Sequence, residues 1–124
     1  MSITGEMLIG RQTVRGNEKP LRAFNPATGS EIAEPVFGTG TVADVARACE
    51  LAQQAFDSYR QLPLAVRAEF LERIADGITE LGDTLVQRAH EESGLPKARL
   101  EGERGRTTGQ LKLFAQVVRA GQWL

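Results

Sequence analysis

Apolar residues fall in two different rhythms along this chain, and the rhythm changes near residue 40. Before that point short β-prone runs alternate with clusters of Gly, Pro, Asn and Thr, which predicts strands at residues 7–9, 21–24 and 32–37. Gly16-Asn17-Glu18-Lys19-Pro20 reads as a turn, since Gly and Asn tolerate positive φ and Pro removes a ladder donor. Asn25-Pro26-Ala27-Thr28-Gly29 reads as a second, with Pro setting φ early and Gly supplying the left-handed position.

After residue 40 the spacing becomes helical. Thr41 is an expected N-cap, with Asp44 three residues on in the place of a capping-box partner. Val42, Val45, Cys49, Ala52, Phe56 and Tyr59 step by three and four along one face. Pro63 suits the first turn of a second helix, whose stripe is Leu71, Ile74, Ile78 and Leu81 and which Gly82 can end. Asp83 is an expected cap for a short third helix ending at Gly94, and Pro96 opens a fourth. That fourth helix has a polar first half, with Lys97/Glu101 and Arg99/Glu103 four apart, and an apolar second half carrying Leu111, Phe114, Val117 and Val118. Gly102, Gly105 and Gly109 each cost it about 1 kcal/mol relative to Ala, so a break is expected to fall there if anywhere. The segment therefore reads as a short β-meander or hairpin (residues 1–40) followed by about four α-helices (residues 41–124). Three short strands are a meagre sheet for four helices, so the chain reads as the opening layer of something larger.

Composition narrows the partners. A net charge of −1, with 25% charged and 41% hydrophobic residues, gives no basic surface for nucleic acid or anionic lipid. No apolar run reaches membrane-spanning length, and the first residues lack a signal-peptide pattern, so the expected compartment is the cytoplasm. One cysteine excludes an internal disulfide framework.

Each candidate for chemistry has a plainer explanation. A nucleophilic thiol needs a helix N-terminus, a cation or a paired His to lower its pKa. Cys49 instead lies eight residues into a helix on the apolar stripe, so burial in a core is expected. Gly38-Thr39-Gly40-Thr41-Val42-Ala43 matches a G-x-G-x-x-A dinucleotide fingerprint between strand and helix. The second parallel strand of a βαβ unit and the acidic residue for the ribose do not follow, so it reads as a turn leading to an N-cap. His90, the one histidine, has no companion at metal-ligand spacing and is expected to be hydrogen-bonded locally. Glu103-Arg104-Gly105-Arg106 mixes charges and reads as an ion-paired face.

Taken in order, Asn25-Pro26-Ala27-Thr28-Gly29, Ala52-x-x-Ala55-Phe56, Arg67-Ala68-x-Phe70-Leu71-x-x-Ile74-Ala75 and Glu92-Ser93-Gly94-Leu95-Pro96 resemble the N-terminus of the NAD(P)-dependent aldehyde dehydrogenase superfamily. The resemblance runs from about Leu8 to Trp123. Gly94-Leu95-Pro96, with Arg99-Leu100-Glu101-Gly102-Glu103-Arg104-Gly105-Arg106-Thr107 and Gln110-Leu111, is similar to the 2,5-dioxovalerate (α-ketoglutarate semialdehyde) dehydrogenase branch. The resemblance implies an α/β fold for the full enzyme, NADP or NAD as cofactor, a homo-oligomer, and oxidation of an aldehyde to a carboxylic acid. It implies a cysteine nucleophile, a glutamate that activates water and an asparagine at the oxyanion, all downstream of residue 124. No catalytic or cofactor-binding residue carries over onto this chain, which alone is expected to be inactive. One minor carry-over is a monovalent-cation site using the carbonyls of Ala23 and Phe24 and the carboxylate of Glu92. The principal partner implied is the remainder of the dehydrogenase polypeptide. The competing reading is a stand-alone helical protein-interaction module derived from such an enzyme.

Overall fold

Thr41 ends the extended part of the chain and starts its first long helix. The computed structural model describes residues 3–122, and within them six short strands precede four helices. The helices are α1 (Val42–Arg60), α2 (Leu64–Glu80), α3 (Gly82–Ser93) and α4 (Lys97–Ala120). The element type changes at Thr41, whereas contacts divide the chain elsewhere, into Met1–Gln61 and Leu62–Leu124. Helix α1 thus groups with the strands.

In the first unit, β1 (Met7–Ile9) and β2 (Gln12–Val14) form a hairpin in the register Met7↔Val14 and Ile9↔Gln12. The strand expected at residues 21–24 divides into β3 (Pro20–Leu21) and β4 (Phe24–Asn25), each pairing elsewhere. β4 joins β5 (Ser30–Glu31) through the Asn25–Gly29 turn, and β3 joins β6 (Phe37–Gly38), antiparallel in both cases. The turn is closed by Asn25, whose Oδ1 accepts the Ala27 N–H at 2.9 Å and whose carbonyl accepts the Gly29 N–H at 2.9 Å. Gly29 has φ +67°, the left-handed position foreseen for it. Of the strand expected at residues 32–37 only the last residue is in a ladder. Pro35 has no N–H to give to one.

The cap of α1 is reciprocal. The Asp44 N–H donates to Thr41 Oγ1 at 3.2 Å, while the Thr41 N–H donates to Asp44 Oδ2 at 2.8 Å. The Thr41 N–H and, after it, the Thr41 hydroxyl, which also donates to Asp44 Oδ2 at 2.8 Å, hold the Asp44 carboxyl below its ordinary pKa. The apolar stripe of α1 is present but uncovered. Val42 and Val45 are 88% and 62% exposed, Phe56 is 56% exposed, and α1 buries none of its residues. Cys49 is likewise exposed, which corrects its expected burial. The side of α1 that turns toward the strands is instead that of Asp44 and Leu51, both half-buried, with Leu51 against Gly10; burial requires an opposing layer, and none covers the stripe among the described residues.

In the second unit α2 and α4 pack along a seam of small side chains. Ala68, Ala75 and Ala115 are fully buried there, and small residues let helix backbones approach closely. Arg119 and Lys112 of α4 reach Glu72 and Asp76 of α2 beside the seam. Pro63 and Pro96 stand at the cap positions rather than inside the first turns, and their carbonyls accept the N–H groups of Arg67 and Leu100. Asp83 does not cap α3. It lies in the first turn, where its charge suits the helix dipole. Gly94 ends α3 at φ +70°, as its sequence position suggests. Helix α4 runs unbroken through Gly102, Gly105 and Gly109.

Candidate functional site

The residues with chemical potential are dispersed between the two units. Cys49 projects from the middle of α1, away from the helix N-terminus that would activate it. In the fingerprint-like segment, Gly38 pairs in β6 antiparallel to β3, and Thr41 caps α1. Gly38 lies directly against the backbone of Gly16, so a side chain at either glycine would run into the other. These glycines serve close packing of two backbones. The chain then continues into α2 with no parallel strand, as a dinucleotide site of that type would require.

His90 closes the α3–α4 connection. Its Nδ1 is 2.7 Å from the Leu95 carbonyl, which can only accept, so Nδ1 carries the proton. Its own carbonyl accepts the Gly94 N–H at 2.9 Å. The side chain holds the Gly94-Leu95-Pro96 turn in place.

The three oxygen donors proposed for a cation lie in different units. Ala23 and Phe24 belong to the first and Glu92 to the second. The Ala23 carbonyl accepts the Ile32 N–H at 2.8 Å, leaving one lone pair, and Phe24 stands opposite Glu31 in the β4–β5 pair. Glu92 accepts from Arg88 at 2.5 Å one helical turn back. Carboxylate and carbonyl oxygens are the right donors for a hard cation, although Arg88 already neutralises the carboxylate. Among the described residues no group of three or more His, Cys, Asp or Glu side chains is placed to hold a metal. No described helix is long and apolar enough to cross a membrane.

Two features of the second unit carry no local sequence signal. Glu72 and Arg119, separated by 47 residues, form a two-pronged pair between α2 and α4. Arg104, in the half of α4 that reads as polar, lines an apolar cleft beneath α3. Glu103 does pair with Arg106, at 3.3 Å, as the mixed-charge run suggests.

The arrangement is a scaffold with unfinished faces, and its likeness to known proteins is consistent from end to end. The model of the aldehyde dehydrogenase family matches residues 13–123. The chain belongs to the aldehyde dehydrogenase family. It is 63% identical, over all 124 residues, to an alpha-ketoglutaric semialdehyde dehydrogenase 2 of Azospirillum brasilense, covering 24% of that protein. It is 40% identical over 96% of its length to an alpha-ketoglutaric semialdehyde dehydrogenase of Acinetobacter baylyi, covering 22% of that protein. Among solved structures, a NAD-dependent benzaldehyde dehydrogenase from Corynebacterium glutamicum superposes with a TM-score of 0.84 at 27% identity, over 94% of this chain and 25% of that one. The short β-hairpins followed by four helices are thus those of the aldehyde dehydrogenase fold. The chain spans about a quarter of the length of the family members it matches.

Proposed function

We propose that this chain is the N-terminal part of an NAD(P)-dependent aldehyde dehydrogenase that oxidises 2,5-dioxovalerate to 2-oxoglutarate. The observation that carries the reading is the 63% identity over the whole chain to the Azospirillum brasilense protein. Relatives named for other aldehydes stand further off, at 36% for a succinate-semialdehyde dehydrogenase and 33% for a phenylacetaldehyde dehydrogenase. In the reaction the aldehyde carbon loses two electrons as hydride to the nicotinamide of NAD or NADP. Water supplies the second oxygen, and two protons are released, one of them as the new carboxylic acid ionises.

These residues have a structural part in that reading. Unit Leu62–Leu124 is a helical support, and the uncovered stripe of α1 is a surface for the rest of the enzyme. Nucleophile, water-activating base and cofactor contacts are assigned to the remainder of the polypeptide, in a cytoplasmic homo-oligomer. Glu92, with the carbonyls of Ala23 and Phe24, is the donor set the chain would offer a monovalent cation, and Arg88 is the competitor.

The test is the product of the natural gene. Its intact mass is expected to be about four times that of this chain, from the 24% coverage of the relative. The purified protein is expected to reduce NAD+ or NADP+ with 2,5-dioxovalerate at a higher kcat/KM than with succinate semialdehyde or benzaldehyde. A preference for either of the latter overturns the substrate assignment. A gene product of 124 residues would favour the second reading, a stand-alone interaction module, for which the exposed apolar side chains of α1 and α4 would be partner surfaces.

A further inference from the structure

A cleft of about 410 Å³ opens in the second unit between the end of α2, helix α3 and the first half of α4. Its wall is mostly apolar, with Ile78, Leu81, Leu85 and Leu100 contributing, and two charged residues, Glu103 and Arg104, lie along it. Arg104 Nη1 is shut off from water and has no hydrogen-bond partner among the described residues. A guanidinium has only donors to offer, and a desolvated N–H group without an acceptor is costly. Neighbouring Glu103 pairs with Arg106.

The apolar wall does not end at the cleft. Along α2 it continues at four-residue steps through Ile74 and Phe70, 37% and 51% exposed; along α4 it passes Thr107 and Leu111 to Phe114, 51% exposed. The pairs Glu72–Arg119 and Asp76–Lys112 complete another side of the same two helices with polar contacts. One side is satisfied; the other lacks an apolar cover, and its one carboxylate, Glu103, pairs with Arg106 and leaves Arg104 Nη1 without an acceptor.

We propose that the cleft is a docking site for a segment of the same dehydrogenase polypeptide outside these 124 residues, which fills it with apolar side chains and brings an Asp or Glu carboxylate to Arg104. The inference rests on the reading of the chain as part of a longer enzyme, whose matched relatives are about four times its length. A small anion would satisfy Arg104 but leave the apolar wall and its continuation wet. A covering segment of chain answers both needs. As the carboxylate enters, Nη1 gains the charge-assisted contact it lacks.

The test uses the full-length enzyme. Its crystal structure is expected to show an Asp or Glu of the same chain within hydrogen-bond distance of Arg104, with apolar side chains seated between α3 and α4. A cleft left open, filled by a neighbouring subunit, or holding a small molecule overturns the proposal. Thermal unfolding gives an independent sign. Arg104→Met is expected to lower the Tm by about 2 °C or more, because it strands a buried carboxylate, with Arg104→Lys recovering part of the loss. A Tm unchanged or raised by Arg104→Met means the guanidinium has no anionic partner and overturns the proposal. A full-length enzyme that oxidises another aldehyde but keeps the Arg104 contact would refute the substrate assignment alone.

Discussion

Arg119 and Glu72 meet fork to fork across the α2–α4 seam, Nη1 to Oε1 at 2.7 Å and Nη2 to Oε2 at 2.8 Å. This geometry is the strongest form of a carboxylate–guanidinium contact, and it fixes the register of the two helices beside Ala68, Ala75 and Ala115. The Arg119 hydrogen bond, above all, holds the Glu72 carboxyl below its ordinary pKa; burial opposes it, and the charges of Arg119 and Lys112 add to it. Because the folded pKa is the lower one, the stabilisation is fully present above the unfolded value, about 4.3, and is lost as pH falls through the folded value. Glu72→Gln is therefore expected to melt below the wild-type chain at pH 7, and the gap should close as the pH is taken below about 4. Circular-dichroism melts across that range check it. A gap that does not change with pH would show that the carboxylate's charge contributes nothing.

The α1 cap makes a second, local prediction. Thr41→Ala removes the acceptor of the Asp44 N–H and should destabilise the helix by about 1 kcal/mol. Asp44→Asn should act in the same direction at neutral pH and lose its effect in acid, since the Asp44 carboxyl is also held below its ordinary pKa. Hydrogen exchange at the amides of residues 42–45 reads this directly. It should accelerate there in both variants and stay unchanged in α4.

The same cap shows which parts of the fold were legible in sequence. Thr41, Pro63, Gly94 and Pro96 act within one turn of themselves, so the four helices could be placed from their neighbours alone. Asn25 and Gly29 likewise carry their turn unaided. The β part was less legible because its ladders are two or three residues long and are decided by partners, such as Leu21 with Phe37, far off in sequence. Gln12–Val14 has a single apolar residue and no alternation to detect. Cys49 shows the limit most clearly, since periodicity gives a face but not what lies over it. Glu72–Arg119 and the setting of Arg104 arise only once the helices have packed.

The glycines of α4 supply a third prediction. A methyl group built onto Gly102, Gly105 or Gly109 meets nothing within 4 Å, so their cost to the helix is not repaid by any contact in this chain. Gly105→Ala is expected to stabilise the 124-residue chain by up to about 1 kcal/mol in urea unfolding. A loss of stability instead would mean that the glycine serves a contact absent from the structure described here.

The uncovered face of α1 gives the last. Cys49 is exposed on the same helix as Val45 and Phe56, themselves 62% and 56% exposed. A thiol reagent such as DTNB should therefore label Cys49 in the folded 124-residue chain nearly as fast as in urea. In the full-length enzyme, where the apolar stripe is expected to be covered, labelling should slow by at least tenfold. Apolar surface of this kind also drives association, so the 124-residue chain should self-associate with rising concentration, and Phe56→Ser with Val45→Ser should reduce that association. Sedimentation velocity on the two forms separates the cases. A wild-type chain that stays monomeric, with Cys49 protected until urea is added, would mean that α1 is already covered by its own chain and that the face has been placed wrongly.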